Sequence, residues 1–342
     1  MEPSSPAVFA DSAAPGRASA PGREEALSRL RLRPLLAWVI IPLGGLVLAA
    51  LAAPFIYSAL LELLPKADVP FSRVYNRAAM LIAALLLLLL RDPLGWRGLP
   101  GLLVARSGSG AVCQIVAGFL AALLGVGIAV GAALVMGWLA LAGSSYEFVA
   151  GRTATALVGG LVVAFLEESF FRGLMFVSLA ASLGTLRAAI ASSGAYALVH
   201  LLVSDPALGR QGYSVGAGLA YLGNAVARQI EPASLLPLCG LFLCGLVLAL
   251  SVRRSGALFL AIGLHAGWVF SFQVLRHATR PLGAIPGHSY LATHHYLVGT
   301  TWAWVGIFLG GIFVLSWWFW AERRPVAELL GAGLPRIARK GV

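Results

Sequence analysis

Glu167 and Glu168 are adjacent in an unbroken apolar run, TALVGGLVVAFLEESFFRGLMFV. A carboxyl group at membrane depth costs about 3 kcal/mol or more, so it needs a partner, a proton or a polar cavity. Arg172 follows Glu168 by four residues, on the same helix face, and can pair with it in dry surroundings. Glu167 is turned about 100° from its neighbour at 3.6 residues per turn. One carboxylate can therefore be neutralised while the other faces a cavity. Of the six histidines, only His200 and His265 fall inside apolar runs; His277, His288, His294 and His295 belong to a connector or its border. A glutamate beside two neutral imidazoles can hold a water and accept its proton, the work of a general base. An imidazole that donates to a tetrahedral oxyanion supplies the electrostatic half of the same reaction. Amide hydrolysis inside a membrane is one reaction that uses such a set. Proton-coupled transport is the functional alternative, because intramembrane Glu and His also build proton relays. The hydropathy shows no inverted repeat, which weighs against a standard secondary transporter.

The elements that must carry these residues are membrane helices. The chain has 342 residues, 59% hydrophobic and 11% charged, with mean hydropathy +0.86. Several runs are long enough to span hydrocarbon, so the expected fold class is all-α, a polytopic membrane helix bundle. Expected spans are 35–63, 77–90, 110–142, 153–178, 187–204, 234–251, 256–275 and 296–320. Residues Val74 to Ala79 can lengthen the second. Segment 213–230 has the length of a span but carries Gly, Asn224 and Arg228.

Positive charge sets the expected topology. Arg29, Arg31 and Arg33 place the N-terminus in the cytoplasm, and Arg91, Arg97 and Arg106 mark the next inside connector. Arg187 is inside two crossings later. Arg253, Arg254 and the tail residues Arg323, Arg324, Arg336, Arg339 and Lys340 return to the cytoplasm only if 213–230 does not cross fully. Eight crossings with 213–230 broken, re-entrant or lying on the surface therefore fit best. Arg73 and Arg77, left on the outside, oppose that count weakly.

The expected domains are a flexible cytoplasmic tail at 1–28, N-terminal membrane helices at 29–149 and a catalytic membrane core at 150–275. An outer loop with the last helix covers 276–320, and a basic cytoplasmic tail covers 321–342. The tail composition, rich in Ala, Ser and Pro, cannot bury a core. The run after RLRLRPL is too long for a cleaved signal peptide and reads as a retained span. The net charge of +11 sits in short connectors and at the ends, a pattern that suits anionic lipid and not nucleic acid. Cys113, Cys239 and Cys244 lie in apolar segments without metal or disulfide spacing.

On this topology Glu167 lies 11 residues, roughly 16 Å, from the cytoplasmic end of its span. His200 lies roughly 20 Å, and His265 roughly 14 Å, from the same side. Three helices thus bring one acid and two imidazoles to a similar depth. Glu167, His200 and His265 are also legitimate zinc ligands, the alternative to a metal-free site. No HExxH is present.

At these residues the chain resembles the CAAX-protease and bacteriocin-processing family, the glutamate-type intramembrane proteases also called the Abi family. EESFFR matches the Glu-Glu-x-x-x-Arg motif at Glu167, Glu168 and Arg172. YALVH matches Phe-x-x-x-His with Tyr196 in place of Phe and with His200 kept. HAGWV supplies His265, but Val269 stands where the family carries Asn or a similar polar group. The resemblance covers roughly 150–275. It implies that Glu167 is the general base, His200 its partner in activating water, and His265 an oxyanion-stabilising group. It also implies that Glu168 and Arg172 orient the site. The further implications are eight spans, a cavity open toward the cytoplasm, a bacterial inner membrane and a membrane-anchored or lipid-tethered polypeptide substrate. Valine cannot donate to an oxyanion, so another donor must serve; Asn224, Ser271 and Gln273 are the candidates.

Overall fold

A helix satisfies its backbone N–H and C=O groups within itself, so apolar runs of this length fold as helices in lipid. The computed structural model describes residues 21–64, 69–90, 109–143, 146–202, 214–282, 298–301 and 303–322. In chain order these form α1 (Pro21–Leu63), α2 (Phe71–Leu90), α3 (Ser109–Val135) and α4 (Tyr146–Glu168). A π-helical segment, Ser169–Phe176, continues α4 into α5 (Val177–Leu183). Then follow α6 (Thr185–His200), α7 (Val215–Gln229), α8 (Leu235–Ser255), α9 (Phe259–Ala278) and α10 (Ala303–Glu322).

Six stretches among the described residues are long and apolar enough to cross a membrane: Ala37–Leu63, Phe71–Leu89, Gly110–Val135, Gly151–Ala180, Leu235–Ser255 and Phe259–Ala278. The protein is a multi-pass helical membrane protein. The remaining two expected spans are shorter: α6 has 16 residues, and α10 contributes the apolar stretch Ala303–Ser316. Ile40, Leu43, Leu85, Leu89, Leu124 and Phe308 point outward, as lipid-facing side chains do.

Several boundaries differ from expectation. Helix α1 begins at Pro21, inside the expected 1–28 tail. Helix α2 begins at Phe71, so Val74 to Ala79 do lengthen it. Segment 213–230 forms a regular helix, α7, without an internal break. At 15 residues it is roughly 22 Å long, short of a membrane span. It bridges α1 and α6: Gly218 packs on the Ala50 carbonyl, and Gln229 Nε2 donates to the Leu198 carbonyl at 3.1 Å. The interruption lies instead in Gly151–Ala180, at the π segment directly after Glu168. Antiparallel strands β1 (Leu139–Leu141) and β2 (Thr279–Pro281), unforeseen in the sequence, tie the ends of α3 and α9 together. The connector holding Arg91, Arg97 and Arg106, the tail beyond Glu322, and His288, His294 and His295 lie outside the described residues.

Helix α9 packs against α3, α4 and α8, and α6 packs on α8. Small residues permit this approach. A Cβ at Gly118 of α3 would stand 2.6 Å from the Leu260 carbonyl oxygen of α9. A Cβ at Gly245 of α8 would stand 2.8 Å from Ser193 Cβ of α6. Gly245→Val is therefore expected to push α6 from α8 and destabilise the bundle by about 1–3 kcal/mol. A thermal unfolding midpoint in detergent equal to that of the parent would show that the contact can relax freely.

Candidate functional site

The 100° turn between the two glutamates separates their partners. Glu167 points toward α2 and α6, while Glu168 points toward α9. Glu168 and Arg172 are both fully buried, and Arg172 Nη1 donates to Glu168 Oε1 at 3.1 Å. Arg172 Nη2 donates to the Gly245 carbonyl at 3.2 Å, and its guanidinium lies 4.5 Å from the Tyr196 ring centroid. The pair anticipated from the four-residue spacing thus fastens α4 to α8 and α6. The same Glu168 Oε1 also accepts from His265 Nδ1 at 2.7 Å. Glu168 is therefore more than a counter-ion for Arg172: it sets the ring orientation and tautomer of His265.

His200 is the last residue of α6, not an interior one. Its Nδ1 lies 2.8 Å from the Tyr196 carbonyl, which can only accept, so Nδ1 carries the hydrogen and Nε2 faces the cavity. Tyr196 stacks against His200 with ring centroids 4.0 Å apart, and its hydroxyl stands 3.5 Å from His265 Nε2. The aromatic residue of YALVH thus sits between both imidazoles.

Glu167 is where the helices converge. Its Oε2 lies 2.9 Å from His200 Nε2 and 3.7 Å from His265 Nε2. The nearer distance is that of an ion pair or hydrogen bond between the two side chains. On the other oxygen, Oε1 accepts from Arg77 Nη1 of α2 at 3.3 Å.

A cavity of about 330 Å³ opens in front of this carboxylate. Glu167, Phe171, Val199 and His200 line one wall, and Arg73, Asn76 and Arg77 of α2 line the other. His265, only 3% exposed, stands behind Glu167 and is not part of the lining.

The structure brings together Glu167, Glu168, Arg172, Tyr196, His200 and His265, and leaves Asn224 apart. That residue belongs to α7, outside the cavity lining. Ser271 is also no donor for the site: its hydroxyl donates to the Gly267 carbonyl of its own helix at 2.7 Å. Val269 lies in the seam between α4 and α9, its Cγ1 3.7 Å from where a Cβ on Gly160 would stand. Among the described residues no group of three or more His, Cys, Asp or Glu side chains is arranged to hold a metal ion.

Arg77 and Asn76 are the site residues that sequence reasoning missed. A signal existed: Arg73, Asn76 and Arg77 repeat at helical spacing on an otherwise apolar helix. An intramembrane arginine is by default a functional candidate. Treating the span as starting at residue 77 hid it by leaving Arg73 in a connector and Arg77 at the span's first position, at the membrane border.

Residues 149–271 match the family model of the type II CAAX prenyl endopeptidase Rce1-like proteins. Neither a curated protein nor a solved structure matches the chain. The match spans the three helices that supply Glu167, His200 and His265, and it stops short of α2, which supplies Arg77.

Proposed function

We propose that the chain is an intramembrane endopeptidase, a reading supported by the match of residues 149–271 to the Rce1-like CAAX-protease family model. The family match and the cluster of Glu167, His200, His265 and Arg77 support a protease-type centre. In the reaction we assign, a cavity water beside Glu167 and His200 attacks the scissile carbonyl. Its proton passes to Glu167 Oε2 and then to the leaving amine, and no covalent enzyme intermediate forms. The substrate is a membrane-anchored or lipid-tethered polypeptide.

The observation that carries this reading is the Glu167 carboxylate in the cavity wall, its Oε2 2.9 Å from His200 Nε2. His265, with its Nδ1 hydrogen held by Glu168, meets the same oxygen from behind. Arg77 is a permanent donor that lines the cavity, and one Glu167 contact leaves most of its five N–H groups available. It supplies the oxyanion contact that Val269 cannot.

His200→Ala is expected to abolish cleavage while insertion and purification stay normal. The readout is the set of protein termini in membranes carrying the parent chain or the variant. Termini that appear only with the parent identify products. Identical termini in both would remove the peptidase reading, and proton-linked flux in proteoliposomes without any cleaved bond would install the transport alternative.

A further inference from the structure

The cavity in front of Glu167 is charged unevenly. Among the described residues that line it, Glu167 is the one carboxylate, while Arg73 and Arg77 are two guanidiniums. Arg77 is engaged, because its Nη1 donates to Glu167 Oε1 at 3.3 Å. Those two charges offset each other and leave Arg73 as the surplus positive charge on the wall. Among the described residues no side chain pairs with Arg73 or with Asn76.

Helix α2 sets the geometry. Arg73, Asn76, Arg77 and Met80 recur three and four positions apart, so they share the face that lines the cavity. Arg73 lies one helical turn, about 6 Å along the axis, from Arg77. It belongs to the first turn of α2 and is exposed, while Asn76 is half-buried. On the far side of Arg77 the lining turns apolar, with Leu46 of α1, Met80 and Ala83 of α2, and Phe170. The cavity thus runs from a cationic rim, past Glu167 and His200, to an apolar floor. A polypeptide with apolar side chains on that floor meets Arg73 with a neighbouring polar group.

A guanidinium offers two parallel N–H donors and a positive charge, which a carboxylate matches in both shape and sign. We propose that Arg73, with the Asn76 amide beside it, forms a specificity subsite for a carboxylate of the substrate. The group is either the terminal carboxylate of a polypeptide or the side chain of an Asp or Glu within it. An extended chain advances about 3.3 Å per residue, so a carboxylate held at Arg73 lies only a few residues from the bond set before Glu167. That the ligand is a substrate rests on the peptidase reading; the capture of a carboxylate does not.

The test uses the full chain purified in detergent and titration calorimetry with matched probes: N-acetyl-leucyl-leucine as the free acid and as its C-terminal amide. The acid should bind the parent about fivefold more tightly, the worth of a solvent-screened charge pair. Arg73→Ala should abolish that preference, and Arg73→Glu should turn it toward the amide. Both variants should keep the unfolding midpoint of the parent, because the side chain they replace is exposed. A third probe, N-acetyl-leucyl-aspartic acid amide, separates the two sources. If it binds like the free acid, a side-chain carboxylate serves; if it binds like the plain amide, only a chain terminus does. No acid preference in the parent, or one that survives Arg73→Ala, would overturn the inference. If the preference depends on Arg73 while His200→Ala leaves all protein termini unchanged, the subsite stands and only the peptidase reading falls.

Discussion

Glu167→Gln is expected to lower peptide-bond cleavage by about 10²- to 10⁴-fold, the usual contribution of a positioned general base. Glutamine keeps the shape of the side chain, so the helices should pack as before. What it lacks is the ability to take a proton from water at Oε2, the oxygen that His200 and His265 approach at 2.9 and 3.7 Å. Its amide would also turn a donor, or a neutral carbonyl, toward His200 Nε2. Arg77 would lose its carboxylate, but its side chain is 39% exposed and water can compensate. The variant should therefore retain the unfolding midpoint of the parent in detergent while product peptides disappear from mass spectra. Cleavage at near-parental rate would rule out Glu167 as the base.

The second large effect is on stability. Arg172→Ala is expected to cost about 3–5 kcal/mol, because it leaves the wholly buried Glu168 without its cation. The loss includes the Gly245 carbonyl contact and the guanidinium packing on Tyr196, which together join α4, α6 and α8. Replacing both members, Glu168→Leu with Arg172→Leu, should recover much of that loss, since an apolar pair carries no charge to desolvate. Activity should not return with it. His265 would no longer have the Glu168 acceptor that holds Nδ1–H at 2.7 Å, and its ring would be free to turn. Chemical unfolding of the single and double variants, followed by cleavage assays, separates the two roles. A double variant as unstable as Arg172→Ala would show that the fold depends on the charges themselves.

The fold class was legible because lipid leaves few choices: long apolar runs with few charges must become helices. The Glu168–Arg172 pair and the divergence of Glu167 from Glu168 were legible as well, since both are properties of one helix turn. Two errors came from helix ends. Starting α2 at residue 77 removed Arg73 from the helix and put Arg77 at its very end, and extending α6 to residue 204 placed its terminal histidine in the interior. In apolar stretches hydropathy changes slowly, so it locates a span better than its first or last turn.

By itself, then, the sequence determined a membrane helix bundle, a buried acid pair and two intramembrane imidazoles. Only the tertiary structure decided which atoms meet. The contacts of Glu168 with His265 and of Arg77 with Glu167 join residues 97 and 90 positions apart. No local periodicity encodes such a distance; it is set by how closely glycine-bearing helix faces can approach. The walls of the cavity were equally out of reach, because they depend on which helices surround Glu167, not on any one helix.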